Sequence, residues 1–425
     1  MADNRDLNRR SFLHSAQITA LAGLAPAATL TTEYDFDTPY NRVGSDCVKW
    51  DAQITRYGPG SIVAGMGIAD MDFRAAPVIT HALAKRMQHE NWGYLAMPRA
   101  FPEAIIGWNK RRYGIDIHPD RLIMSTGVHP SIVSALRAFS PRGSKVLLLT
   151  PTYDGFFGDI AAAGCIPEES PLKLVHGRYA MDLEELDRHI SAETKTVILC
   201  NPQNPTGNCW SPEDLTAFGE LCTRRGVVVL ADEIHCDFVT KGNKYTPYST
   251  LSNREIVNNS ITFKSASKSF SLSAMKCGWM FSDNAEYLAK ILATGHSQDF
   301  NTLGMIASLA AYTEGEDWLN QLLVYIDGNH AFVESFTRAN MPLVRYEKAQ
   351  GTYLAWLDVS RVAERIGGGD TKMVEQFFVK NAKVQINSGL AYGRAGAGHM
   401  RMNIATSRKT LDLALTNMAE ALKRT

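Results

Sequence analysis

The sequence predicts an α/β protein: a large unit built on a mostly parallel sheet sandwiched by helices, joined to a smaller α+β unit. Three observations carry this expectation. Short, uniformly apolar runs recur from residue 121 onward, and they do not alternate with polar residues. That is the pattern of strands covered on both faces. Helix-like segments with start and stop signals separate these runs. After about residue 315 the texture changes to long helical stretches with a few isolated strands.

The elements follow in order. RLIMS (121–125) reads as the first strand, and TGVHPSIVSALRAF (126–139) as a turn and helix. KVLLLT (145–150) and TVILC (196–200) are the second and third strands. SPEDLTAFGELCTRRG (211–226) opens with Ser-Pro at N-cap and N1 and closes on Gly, so it is a helix. VVVLAD (227–232), a run within SITFKSASK (260–268), and GWMFSD (278–283) complete six strands. Beyond 315, a helix over 316–340, the strand TYLAWLDV (352–359), a helix over 371–381, HMRMNIAT (399–406) and a helix over 408–423 form the smaller unit. Residues 34–75 have no place in the large sheet and are assigned to the small unit. The large unit then spans 76–314, the small one 34–75 with 315–425, and residues 1–33 stand apart.

Composition excludes several classes. Lys plus Arg and Asp plus Glu both number 44, and no basic run is interleaved with aromatics, so nothing in the sequence reads as a nucleic-acid-binding surface. The seven Cys include no C-x-x-C pair, which argues against a zinc ribbon or a redox motif. No apolar run is long enough to span a bilayer. Near the start, Arg9-Arg10 precedes Ser11-Phe12-Leu13, an apolar stretch from Ile18 to Leu24, and Ala25-Pro26-Ala27. This resembles a twin-arginine export signal with a cleavage site, and the expected location is periplasmic or exported. A route that carries folded proteins also suits free cysteines, since folding then takes place in the reducing cytoplasm.

In open α/β sheets, ligands bind beyond the carboxyl ends of the strands. Four polar residues sit at such ends: Tyr153, Asn204, Asp232 and Lys268. Asn204 lies in LCNPQNPTGNCW (199–210), where Pro202 and Pro205 limit the conformations in which it can be presented. Each residue also has an ordinary structural role open to it, such as a helix cap or a loop polar group. Together they match the chemistry of pyridoxal 5'-phosphate. A buried Lys can lose its proton and attack an aldehyde. An Asp keeps a pyridine nitrogen protonated, an Asn amide donates to a phenolic oxygen, and a Tyr ring stacks on the pyridine. Gly127, Val128 and His129 open a helix whose N-terminus suits the phosphate.

With these residues in place, the chain resembles fold-type I pyridoxal-phosphate enzymes of the class I/II aminotransferase superfamily. NRVGSDCVKWD (41–51), IADMDF (68–73), WGY (92–94), NPQNPTG, ADEIHCDF and SASKSFSLSA resemble the MalY/PatB group of cystathionine β-lyases. The resemblance covers roughly residues 34 to 425. It implies that Lys268 forms the Schiff base and carries the Cα proton, with Tyr153 stacked on the ring. It implies that Asp232 pairs with the pyridine nitrogen and Asn204 with the phenolic oxygen. Ser265, Ser267 and the Gly127 and Val128 amides would hold the phosphate. Tyr94 would reach the phosphate of a neighbouring subunit, which implies a homodimer with shared sites. Arg401 would clamp the substrate carboxylate.

The chain departs from the pattern twice. Lys276 stands where the aminotransferases usually carry a phosphate-binding Arg, and VAGMGI (63–68) lacks the Trp common before ADMDF in the lyases. The expected activity is carbon–sulfur β-elimination from a cysteine S-conjugate, cystathionine-like or a cysteinyl sulfoxide, giving pyruvate, ammonia and a thiol-type product. Transamination with a 2-oxo acid is the alternative, since both reactions begin at the same carbanion. A regulatory role through a transcription factor, as MalY-like proteins can play, conflicts with export. His235 is expected beside the cofactor or in the wall of the site, and Cys236 and Cys277 as packing residues.

Overall fold

The computed structural model describes residues 33–425, and Tyr34–Thr425 form one compact unit. The Arg9-Arg10 signal lies outside the described residues. The main sheet has seven strands: β1 (Leu122–Ser125), β2 (Lys145–Thr150), β3 (Ile166–Pro171), β4 (Thr194–Cys200), β5 (Val228–Asp232), β6 (Ser260–Lys264) and β7 (Gly278–Phe281). Their spatial order is β1-β7-β6-β5-β4-β2-β3. Only β7 runs against its neighbours, pairing antiparallel with both β1 and β6. All six strands read from the sequence are present.

β3 was not legible as a strand. Its sequence IPEESP carries two carboxylates and two prolines, and its burial is patchy. Such a composition belongs to an edge, where one side of the strand faces no partner. A short hairpin, Lys173–Val175 with Arg178–Ala180, follows it.

Helices cover both faces of the sheet. On one side, α1 (Val128–Phe139) and α2 (Gly155–Ala163) bury Ile132, Leu136, Phe156 and Ile160 against Leu148, Ile198, Leu230 and Phe263. On the other, α3 (Pro212–Arg224) buries Leu215 and Phe218 against Val197, Leu199 and Val229. α3 starts where the sequence signal placed it: the Ser211 hydroxyl accepts from the Asp214 amide while the Asp214 carboxylate accepts from the Ser211 amide.

The C-terminal elements are α4 (Glu316–Asn340), a helix over Thr371–Ala382, and α5 (Arg408–Leu422), packed on a separate sheet. That sheet has order β8-β10-β9, with β8 (Leu354–Asp358), β9 (Asn387–Ser388) and β10 (His399–Asn403). The segment Ala64–Gly65 pairs in parallel with Val384–Gln385. Among the described residues no helix is long and apolar enough to cross a membrane.

Candidate active site

The carboxyl ends of β4, β5 and β6 converge on a cavity of about 470 Å3, which Tyr153, Asn204, Asp232 and Lys268 all line. Register explains the convergence. Cys200, the last residue of β4, sits opposite Asp232, and Asp232 sits opposite Phe263. The loop past Cys200 then carries Asn204 over the same strand ends. Three X–Pro peptides around the site are cis: Thr150–Pro151, Asn201–Pro202 and Asn204–Pro205.

Asp232 is buried, and its carboxylate accepts from the Ile234 amide at 3.0 Å. Burial pushes its carboxyl up to about 6, and among the described residues no cation pairs with it. A buried carboxylate without a cation partner is costly. A protonated pyridine nitrogen is the type of partner it lacks.

Lys268 lies on the short helix after β6, and its Nζ donates to the Ala69 carbonyl at 2.9 Å. Burial, with the Arg401 charge, lowers its pKa to about 8. An amine so placed supplies its neutral, nucleophilic form near neutrality.

Asn204 and Arg401 are tied together. The Arg401 guanidinium donates from Nη1 to Asn204 Oδ1 at 3.1 Å and from Nη2 to the Gly67 carbonyl at 2.7 Å. Arginine only donates, so the Asn204 oxygen must face it. The Asn204 amide nitrogen is thereby left for an acceptor, as its expected role requires. Arg401 is buried on β10 over the Tyr392 ring, and its Nε has no partner. An orphaned buried guanidinium N–H fits a missing carboxylate.

The anion end is built from backbone. Gly127 precedes α1, whose first turn has neither a side-chain cap nor an acidic residue. The Gly127 carbonyl accepts from the hydroxyls of Ser125 at 3.0 Å and Ser131 at 2.9 Å. Because a peptide is planar, fixing that carbonyl fixes the Val128 N–H pointing the opposite way. Gly278 lies directly beneath. A Cβ there would meet Gly127 Cα at 2.9 Å, so only glycine permits this approach.

Ser267 and Lys276 also line the cavity; Lys276 is exposed and adopts a left-handed conformation, φ 49°. Ser265 lines it too, but its hydroxyl donates to the Cys277 carbonyl at 2.7 Å and accepts from the Ser267 amide at 3.0 Å. Its proton is therefore committed to the backbone.

Tyr153 packs edge-on against Phe156. Its hydroxyl lies 3.2 Å from His129 Nε2, while His129 Nδ1 meets Asp159 at 2.7 Å. The hydrogen bond to Asp159 raises the His129 pKa. His235 is buried in the cavity wall with Nδ1 unpartnered, and burial holds its pKa well below the ordinary value. Cys236 and Cys277 are buried, and burial pushes their thiols up to about 12 and about 11. Tyr94 is fully exposed and does not line the cavity of its own chain.

Sequence reasoning passed over Ser125, Ser131, Tyr353 and the His129–Asp159 pair. The two serines act on a backbone carbonyl, and such work leaves no spacing signal. His129 was read only as part of a helix start.

The aminotransferase class I and II family model matches residues 61–418. The chain belongs to that family. Among relatives, this class I/II member is 34% identical over 392 residues to cystathionine β-lyase PatB of Bacillus subtilis strain 168, covering 91% of this chain and 100% of PatB. Two crystal structures with the same fold are similar over 92% of the class I/II chain. Cystalysin from Treponema denticola, which contains a pyridoxal 5'-phosphate cofactor, aligns with a TM-score of 0.87 at 27% identity over its whole length. The PLP-bound C–S lyase from Staphylococcus hominis aligns with a TM-score of 0.84 at 28% identity over 99% of its length. The mostly parallel sheet with flanking helices is thus the fold-type I architecture of the family.

Proposed function

We propose that this chain is a pyridoxal 5'-phosphate-dependent carbon–sulfur β-lyase that cleaves a cysteine S-conjugate to pyruvate, ammonia and a thiol-type product. One observation carries the reading: Asn204, Asp232 and Lys268 converge on a single cavity, with an uncapped helix N-terminus beside them, in a family member whose similar proteins include a cystathionine β-lyase and a C–S lyase. The cofactor, when bound, supplies an aldehyde for an amine and a protonated pyridine ring that accepts electrons from Cα.

The chain's own residues do the rest. Lys268 holds the cofactor and moves the proton at Cα. Asp232 keeps the pyridine nitrogen protonated, and burial strengthens that pairing. The Asn204 amide donates to the phenolic oxygen, and Tyr153 covers the ring. The Gly127 and Val128 amides, Ser267 and Lys276 hold the phosphate. Ser265 joins them only by turning its hydroxyl from Cys277. The Arg401 guanidinium takes the substrate α-carboxylate, with Nε free for it.

The finer parts of the proposal rest on the residues and their resemblance. Exposed Tyr94 reaches the site of a second copy, so the working unit is a homodimer. Residues 34–75 with 315–425 act as a small domain against 76–314, a division supported by the pairing of Ala64–Gly65 with Val384–Gln385. The twin-arginine segment exports the folded protein; Arg9-Arg10→Lys-Lys retains it in the cytoplasm, and a wild type already confined there refutes export.

The deciding experiment is a substrate panel: cystathionine, cysteine conjugates, their sulfoxides and ordinary amino acids, each with and without 2-oxoglutarate. Pyruvate release without the keto acid supports the lyase, and preference for a sulfoxide narrows the substrate. Turnover only with the keto acid replaces the lyase by an aminotransferase. Lys268→Ala should abolish the visible absorbance of the cofactor-loaded protein; an unchanged spectrum removes Lys268 from its role.

A further inference from the structure

Two donors share the Ala69 carbonyl. Lys268 Nζ donates to it at 2.9 Å and the Tyr353 hydroxyl at 3.0 Å. We propose that Tyr353 is a positioning residue for Lys268: by occupying half of the one acceptor that holds the amine, it sets how readily Lys268 gives up and regains its proton. The inference rests on Lys268 being the cofactor-binding lysine.

Tyr353 cannot move away. Its side chain is fully buried, with the ring edge-on to Phe238 at 4.6 Å and 85° and to His235 at 5.6 Å. Thr352 before it has φ 69°, a conformation that is an outlier for a β-branched residue. That conformation is held on every side. The Thr352 amide donates to the Phe238 carbonyl at 2.8 Å, and the Thr352 carbonyl accepts from His330 Nε2 at 3.0 Å. The Leu354 amide donates to the Thr352 hydroxyl at 3.2 Å. His330 in turn meets the Tyr346 hydroxyl at 2.6 Å. These hydrogen bonds hold Thr352 in its left-handed conformation, and the next residue presents its hydroxyl to the Ala69 carbonyl.

The carbonyl is equally fixed. Asn403 Nδ2 donates to the carbonyls of Ile68 and Asp70, at 2.5 and 2.6 Å. Buried Lys49 donates to the Asp70 carbonyl and pairs with Asp72 at 2.7 Å. Arg42 and Ser271 hold the Asp70 carboxylate. The turn through Ala69 is thus clamped before and after the shared oxygen.

The consequence concerns protonation. An ammonium depends on its acceptors more than a neutral amine does. A carbonyl already engaged by Tyr353 offers the ammonium less. Burial keeps the Tyr353 proton in place, so this competition persists across the working pH range. Other groups also face Lys268: Arg401 opposes its charge, as does His129 when protonated, while Asp70, Asp154 and Asp232 favour it. His235 stays neutral. Tyr353 is the group among these that acts through a shared hydrogen-bond acceptor.

The test uses the full chain stripped of cofactor and the pH dependence of pyridoxal 5'-phosphate capture, followed by the growth of visible absorbance. The midpoint reports the Lys268 amine. In Tyr353→Phe the midpoint should rise by about 0.5–1 pH, slowing capture about three- to tenfold below it while leaving the high-pH plateau unchanged. 3-Fluorotyrosine at position 353, a stronger donor of nearly the same size, should move the midpoint the other way and needs no altered packing. Equal slowing at every pH, or fluorotyrosine and Phe shifting in the same direction, would overturn the proposal. Should Tyr353→Phe fail to fold, the fluorotyrosine shift alone decides. A wild type that captures no cofactor at any pH refutes the cofactor reading itself, and the role of Tyr353 with it.

Discussion

Gly278→Ala tests the anion end of the cavity with one methyl group. The added carbon would sit 2.9 Å from Gly127 Cα, 3.0 Å from its carbonyl carbon and 3.2 Å from the Val128 nitrogen. Carbon pairs rest at about 3.5–4.0 Å, so the Gly127–Val128 backbone must retreat by roughly 0.6 Å or more. No side-chain rotation relieves a contact between two backbones. Overpacking of this kind costs about 1–3 kcal/mol of stability. The retreat also misaligns the Val128 N–H, a donor to a charged phosphate worth about 1.5–3 kcal/mol when well placed. Losing half of that raises the cofactor Kd by about three- to twelvefold. Chemical denaturation of the cofactor-free protein measures the first quantity, and absorbance titration with pyridoxal 5'-phosphate the second. A stability loss with cofactor affinity unchanged to within about twofold would show that the Gly127–Val128 amides do not hold the phosphate. No loss of either kind would contradict the close approach of β7 to the start of α1.

Lys276→Gln removes a charge-assisted contact and should weaken cofactor binding by one to two decades, about 1.5–3 kcal/mol; unchanged affinity in the same titration places Lys276 outside the phosphate site. Asp232→Asn keeps shape but not charge, and should lower turnover at least about a hundredfold while the protein still binds cofactor; near-normal turnover would refute the pyridine pairing. His330 is buried and held at a pKa of about 4, below its ordinary 6.5. The unfolded chain therefore takes up a proton near 6.5 that the folded chain accepts only near 4. Stability is full above 6.5 and drains as the pH falls to 4, by about 3 kcal/mol. Urea unfolding across that range should show a shallower slope in His330→Gln, and an identical slope would assign the acid lability elsewhere.

The strands of the main sheet are legible because burial on both faces selects unbroken apolar runs, 146–149 in β2, 197–199 in β4 and 228–231 in β5. β3 was hidden by the reverse logic, as an edge tolerates the charges and prolines that disguise it. The chemistry at the strand ends was legible because Asn204, Asp232 and Lys268 each follow an apolar run, and the sheet geometry brings such positions together. Apart from the side-chain pair His129–Asp159, what stays hidden acts through main-chain groups. Ser125 and Ser131 aim a peptide, Ala69 offers a carbonyl, and Tyr353 donates to it across a sequence separation of 284 residues. No local pattern encodes partners so far apart. Ser265 is expected from the sequence to hold the phosphate; it lines the cavity, but the Cys277 carbonyl that takes its proton is brought beside it only by the pairing of β6 with β7.

The composition of β3 also limits how copies of this chain can join. In its register with β2, Pro167 and Pro171 lie opposite Val146 and Thr150, and neither proline offers an N–H to a further strand. Glu168 is bridged to Lys145 and His189, and Glu169 to Arg394, so this edge also carries charged side chains. This rim therefore repels templated growth. Two subunits cannot fuse their sheets into one continuous ribbon across it, and a misfolded neighbour finds no ladder there to extend.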